Sequence, residues 1–400
     1  MDRTRNPYAP GAGVQPPELA GRDTFLDEAA IDMERILRGK PSRGMILLGL
    51  RGVGKTVLLN RLHKIAETKG FKTAKIEAPE NGALPQLLAP ELRRVIFELD
   101  LLQAATARMK RALGTFANFI RGFKVTVGDF TIEGIPGVGD TGNLQQDLPE
   151  LFAAIGEAAS ERRTAFALFI DEVQYLNEDE LSSLVVACHA LAQRGLPFHL
   201  IGAGLPQVAA LSGNARSYAE RLLAYPEIGP LEKHAAITAL TKPAEAEGAR
   251  FTPDALDKII DNTERYPYFL QEWGFHVWNH ARTSIITAAD VDAVTPQIVL
   301  HLDKNFFRVR YDRLTALQQK YLRAMAELGP GPHKTGDIAA ILEVSPSSVA
   351  TVRMQLINKG MIWSQRHGET AFTVPMFDEF MKRQMPTLEP HVPKRRSPNN

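Results

Sequence analysis

Residues 49–56, Gly-Leu-Arg-Gly-Val-Gly-Lys-Thr, satisfy the pattern G-x-x-x-x-G-K-[ST]. The pattern constrains the fold because its chemistry needs a strand before it and a helix after it. Residues 45–48, Met-Ile-Leu-Leu, form a short apolar run suited to a buried strand. Residues 57–69 have helical spacing, with Leu58, Leu59, Leu62, Ile65 and Ala66 on one side. Gly49, Gly52 and Gly54 let the backbone turn its N–H groups toward phosphate oxygens. The helix N-terminus adds a dipole that favours negative charge. Lys55 is expected to reach the β- and γ-phosphates of ATP, with Val53 and Val57 completing the loop, and Thr56 is expected to hold Mg²⁺. A purely structural glycine turn is the alternative, and the flanking strand and helix argue against it.

A second apolar run, Ala-Phe-Ala-Leu-Phe-Ile at 165–170, ends in Asp171-Glu172. Apolar residues on both faces predict a central parallel strand. A carboxylate at its C-terminal end sits where open α/β sheets bind ligands. Asp171 is expected to orient Mg²⁺ and Glu172 to polarise the attacking water. The plainer alternative is that one of the two only caps the next helix.

Four hundred residues suit two or three domains. A composition of 44% hydrophobic and 23% charged residues is that of an ordinary globular chain. The formal net charge of +1 exerts no global pull on nucleic acid or membrane, so any basic patch must be local. The single cysteine, Cys188, lies in an apolar helical pattern and reads as core rather than nucleophile. No run approaches a membrane span, and residues 1–15 lack the apolar centre of a signal peptide. These features predict a cytoplasmic protein with no membrane partner.

Strands are expected at 71–76 and 198–203, with helices at 25–37, 148–163 and 181–193, and one long helical stretch at 84–121. Residues 123–132, alternating at period two around Gly128-Asp129, predict a β-hairpin. With Lys124 its only basic side chain, packing is the favoured role over a DNA-facing loop. The alternation predicts an α/β fold, a P-loop parallel sheet with helices on both faces. The pattern turns helical from 230 to about 299. The resulting organisation is a disordered N-terminus at 1–17, an ATPase core at 18–229, a helical lid at 230–309, a helix-turn-helix unit at 310–385 and a disordered tail at 386–400.

The P-loop, the Asp171-Glu172 strand, the strand at 198–206 and the helical lid together resemble AAA+ ATPases. The nearest branch holds origin-recognition initiators, archaeal-type ATPases and their signal-transducing relatives. Gly21-Arg22-Asp23 resembles the adenine-side box of that branch. Arg265-Tyr266-Pro267-Tyr268-Phe269-Leu270 resembles its lid segment, with Arg265 where glycine is usual. The resemblance implies that Arg22, Tyr266 and Pro267 contact the nucleotide. It also implies a polar sensor residue at the end of the strand that follows the acidic one. Ile201–Pro206 offers none, and Gln207 is the nearest amide. The family's arginine finger corresponds to Arg216 or Arg221, and a solvated helix face is the alternative for each. A finger acting between chains requires a homo-oligomer; one acting within the chain does not.

The C-terminal unit resembles a winged helix-turn-helix, with helices at 335–342 and 347–359 and a wing at 363–373. Val349, Val352, Leu356 and Ile357 face the core in this reading, leaving Ser347, Ser348, Thr351, Arg353, Gln355 and Lys359 outside. Arg353, Lys359 and Arg366 are the expected contacts to double-stranded DNA. Between 333 and 384, Lys334, Arg353, Lys359, Arg366, Lys382 and Arg383 face Asp337, Glu343, Glu369, Asp378 and Glu379. That near-balance predicts modest, salt-sensitive binding. Two functions remain open: an ATP-driven switch that binds DNA, and a signalling or scaffold ATPase whose winged helix binds protein only. A P-loop kinase for a small substrate would leave both lid and winged unit idle.

Overall fold

The computed structural model describes residues 1–11, 13–100, 106–127, 134, 137–215, 219–364, 366 and 368–388. Five parallel strands, β1 (Gly44–Leu48), β2 (Lys72–Glu77), β3 (Phe166–Asp171), β4 (Phe198–Gly204) and β5 (Leu223–Ala224), run in the order β2-β3-β4-β1-β5. Every residue of β3 is buried, as a run without polar alternation requires. Alternate strand residues feed two cores. Met45, Leu47, Phe169 and Ile201 pack under α1 (Asp23–Leu37) and α2 (Lys55–Thr68). Ile46, Leu48, Phe166 and Leu168 pack under α3 (Leu84–Asp100), α4 (Ala107–Gly122), α5 (Leu144–Glu161) and α6 (Glu178–Gln193). Two short helices, α7 (Val208–Ala215) and α8 (Ala219–Leu222), lead into β5.

The lid comprises α9 (Lys233–Ala246), α10 (Pro253–Thr263), α11 (Pro267–His280) and α12 (Ala288–Leu302). It is tied by a parallel pair, β6 (Arg250–Phe251) and β7 (Ile285–Ile286). A π-helical turn, Asp303–Phe307, and α13 (Arg308–Tyr311) carry the chain onward. The C-terminal unit runs α14 (Ala316–Glu327), β8 (His333–Lys334), α15 (Thr335–Ile341), α16 (Pro346–Asn358), β9 (Ile362–Trp363), β10 (Glu369–Phe372) and α17 (Phe377–Gln384). Its strands form an antiparallel sheet in the order β8-β10-β9. Phe307 joins this unit to the lid, its ring 5.3 Å from that of Phe380 and 5.8 Å from that of Phe377.

Three expectations are corrected. The stretch 84–121 is two helices, α3 and α4, rather than one. Residues 123–127 form the turn and coil after α4 rather than a strand, because Val125 N–H closes the helix end on Ile120 O at 2.8 Å; the rest of the expected hairpin, 128–132, lies outside the described residues. The described part of 1–17 is ordered against the lid. Tyr8 is 3% exposed, and its ring fills the space over Gly274 where a Cβ would come within 2.6 Å. Its hydroxyl donates to Leu240 O, and Trp278 Nε1 donates to Asp2 O at 3.0 Å. Proline and glycine made the segment look unstructured; one buried aromatic ring anchors it. Of the expected tail, 389–400 lies outside the described residues. No helix among the described residues is long and apolar enough to cross a membrane.

Candidate nucleotide-binding site

The parallel register brings the C-terminal ends of β1 and β3 to one edge of the sheet, and the site is built there. Gly52 and Gly54 hold φ values of 84° and 91°, which favour glycine. At Gly49 a Cβ would lie 2.2 Å from Ile228 O, so only glycine fits. Helix α2 then begins at Lys55, its N-terminus opening on a cleft of about 430 Å³.

Lys55 Nζ donates to Leu50 O at 2.9 Å. Burial lowers its pKa to about 8; Glu172 and Asp171 oppose the shift and Arg51 adds to it. The Thr56 hydroxyl donates to Asp171, whose carboxyl burial pushes above the usual range despite that bond. Asp171 Oδ1 also accepts Glu172 N–H at 2.9 Å. The Thr56 hydroxyl, which lines the cleft, and the Asp171 carboxylate buried behind it are the hard oxygen donors that Mg²⁺ takes, so the pair fits that ion.

Glu172 lines the cleft from a left-handed backbone, φ 54°. Its Oε1 lies 3.7 Å from Arg51 Nη1, and its Oε2 accepts from Gln174 Nε2. Gln174 Oε1 in turn accepts Leu205 N–H at 3.0 Å, bridging β3 to the end of β4. The amide at the end of β4 is therefore Gln174. Gln207, the residue expected there, is not among those lining the cleft, and its Oε1 is buried without a partner. The single 3-10 turn Val173–Tyr175 folds Gln174 back over its own strand. The spacing Asp-Glu-x-Gln was the available signal.

Arg22 lines the cleft and donates to Gly229 O at 2.6 Å; burial lowers its pKa. Pro267 also lines it, at the first position of α11, and buried Tyr266 caps that helix. Tyr268 N–H donates to Gly52 O at 3.2 Å, fixing the lid to the P-loop. Arg265 holds φ 63°, which accounts for glycine being usual at this position of the motif.

Of the two expected fingers, only Arg221 is among the described residues, and it does not line this cleft. Arg216 lies outside the described residues. Arg221 is exposed and lines a separate cleft of about 370 Å³ beside Gly44 and Phe198, the first residues of β1 and β4. Parallel strands put that cleft at the opposite edge of the sheet. Arg310, which sequence reasoning missed, does line the nucleotide cleft. Its guanidinium lies 4.1 Å over the Phe306 ring and donates to Phe306 O. Burial, reinforced by Arg51, lowers its pKa to about 10. Arg22, Arg51, Lys55 and Arg310 line the cleft against Glu18 and Glu172, with Asp171 beside Thr56, which leaves positive charge for a polyanion.

The expected DNA contacts are partly engaged elsewhere. Arg353 Nη2 donates to Ser364 Oγ at 2.8 Å and Glu369 O at 3.2 Å, pinning the segment after β9 and the start of β10 to α16. Lys359 Nζ donates to Arg313 O at 2.8 Å and Gln318 Oε1 at 3.0 Å. Arg366 is exposed. Val349, Val352 and Leu356 face the core as expected.

The fold is that of an α/β protein whose parallel sheet carries a P-loop at its C-terminal edge. Residues 18–201 match the family described as AAA ATPase domain. Residues 304–381 match a family described as Domain of unknown function (DUF8462). No curated protein matches the chain. Among solved structures, the chain is similar to the Walker-type ATPase PABY2304 of Pyrococcus abyssi at 16% identity and a TM-score of 0.57, over 93% of this chain and 100% of that one. That likeness shows the fold. The Aeropyrum pernix ORC1 protein in complex with DNA matches at 18% identity and 0.45, over 93% and 94%. The Thermotoga maritima RuvB Holliday junction branch migration motor matches at 16% and 0.45, over 95% and 100%.

Proposed function

We propose that this protein is an ATP-driven switch that binds and hydrolyses ATP and passes the nucleotide state to its C-terminal winged helix. The observation that carries the reading is the seam between P-loop and C-terminal unit. Arg51 N–H, inside the loop, donates to Thr373 O at 3.0 Å, just past β10. Arg313 pairs across the same seam with Glu80, 3.6 Å apart. A change in the loop on binding phosphate is thereby felt by the unit docked on it.

In this reading Lys55 and the loop N–H groups bind the β- and γ-phosphates. Thr56 and Asp171 hold Mg²⁺, which supplies charge neutralisation at the phosphates. Glu172, positioned by Gln174 and Arg51, accepts the proton of the attacking water. Arg310 supplies within the chain the cation that Arg216 or Arg221 would supply between chains of a homo-oligomer. The ATPase core at 18–229, the lid at 230–309 and the winged helix at 310–385 are the moving parts.

The occupied state of Arg353 and Lys359 favours a protein partner for the winged helix over DNA. A polar outer face on α16, with exposed Arg366 on the wing, is what remains to meet a duplex. Two measurements test the proposal. Spin-label distances between α2 and α16 should change when a non-hydrolysable ATP analogue binds, and stay fixed in Lys55→Ala. Distances indifferent to nucleotide would end the switch reading while leaving ATPase activity to be measured by itself. A salt titration of duplex binding, with and without nucleotide, decides between the partners.

A further inference from the structure

We propose that Glu272, His276 and His301 form a binding site for a divalent transition metal of the zinc type, beside the nucleotide cleft and independent of nucleotide binding. Glu272 and His276 are one turn apart on α11, so both project from the same helix face. His301 comes from the last turn of α12. One ligand atom from each lies within 4.8 Å of the others, and His276 Nε2 is 3.7 Å from Glu272 Oε2. In a tetrahedral site with metal–ligand bonds of about 2.0–2.1 Å, ligand atoms stand about 3.4 Å apart. The α11 pair is close to that spacing already. His301 is exposed and can swing inward by the remaining ångström or so.

The surroundings argue for a cation. Glu272 is 4% exposed, a burial that a carboxylate tolerates only when its charge is answered. Its Oε1 accepts the Tyr268 hydroxyl at 2.8 Å, while Oε2 faces His276 at a distance too long for a hydrogen bond. The Asn305 amide lies 3.1 Å from His301 Nδ1; with the amide turned so that Oδ1 accepts Nδ1–H, it holds that ring from behind and leaves Nε2 free to ligate. Metal ligands typically carry such outer hydrogen bonds, which fix their orientation. Two imidazoles and one carboxylate suit zinc-like ions rather than Mg²⁺ or Ca²⁺, and leave a fourth position open to solvent. Because Tyr268 also bonds Gly52 O, the cluster stands one side chain from the P-loop. A bound ion would brace α11 against α12 there.

The test uses full-length, tag-free, metal-stripped protein without nucleotide, titrated with Co²⁺ and followed by its visible d–d absorption. The expected result is one Co²⁺ per chain, displaced by Zn²⁺, with Zn²⁺ raising Tm. His301→Ala, an exposed position where folding is preserved, should weaken Co²⁺ binding at least about tenfold and abolish the Tm gain. His276→Asn should do the same. Equal titrations for wild type and both variants, or no d–d band in the wild type, would overturn the site.

Discussion

Lys55 makes nucleotide affinity depend on pH in a direction that can be worked out. Its pKa in the nucleotide-free protein is about 8, against an ordinary 10.5. Phosphate oxygens beside Nζ favour the charged form and restore the higher value, so ATP binds the protonated protein. The protonated fraction is about 0.9 at pH 7, about 0.5 at pH 8 and about 0.1 at pH 9. Affinity should therefore fall about tenfold from pH 7 to pH 9, and binding at pH 8 should take up about half a proton. Calorimetry at pH 8 in two buffers of different ionisation enthalpy measures that uptake directly. Lys55→Arg, whose guanidinium stays charged, should flatten the dependence whatever its affinity. The stability of the free protein runs the other way. Between pH 8 and 10.5 the unfolded chain holds the proton that the folded chain has lost, so this residue's contribution to stability rises with pH across that window. An affinity unchanged between pH 7 and 9, with no proton taken up, would refute both the lowered pKa and the placement of Nζ against phosphate.

Glu172→Gln should keep ATP affinity and lose about 10²- to 10⁴-fold in turnover, since an amide accepts no proton from water; single-turnover kinetics reads the chemical step. Arg353→Ala should destabilise the C-terminal unit by about 1–3 kcal/mol through its lost bonds to Ser364 and Glu369, seen in denaturant unfolding. If duplex DNA is bound at all, the salt slope should respond to Arg366→Ala, by about one unit, and hardly to Arg353→Ala. Arg265→Gly should raise stability by up to about 1 kcal/mol by relieving the left-handed backbone, whereas Arg265→Val should lower it; a glycine variant less stable than wild type would contradict the strain.

Local sequence determined the parts whose physics is local. The glycines of 49–56 must be glycines because of two positive φ angles and a backbone oxygen at Gly49, and that requirement is written in the octapeptide itself. Unbroken apolar runs declare buried parallel strands, and β3 with its terminal Asp171-Glu172 was legible for that reason. Helices α15 and α16 followed from the spacing of their apolar residues, Val349, Val352 and Leu356 among them.

Tertiary structure alone decided which side chains share the cleft and which are occupied. Arg310 lies far along the chain from the P-loop, and nothing in its neighbourhood marks it as a cleft-lining cation until the π-helical turn and Phe306 carry it there. Arg353 and Lys359 have the composition of a nucleic-acid face, yet each spends its donors on neighbouring oxygens. The segment 1–17 has the composition of disorder, yet Tyr8 finds a slot over Gly274. Glu272, His276 and His301 converge only because α11 and α12 pack together. A pattern of period two or 3.6 tells which face of an element is buried. It carries no information about which distant element will supply the partner, because that choice is made by the packing of whole faces rather than by any residue's neighbours in the chain.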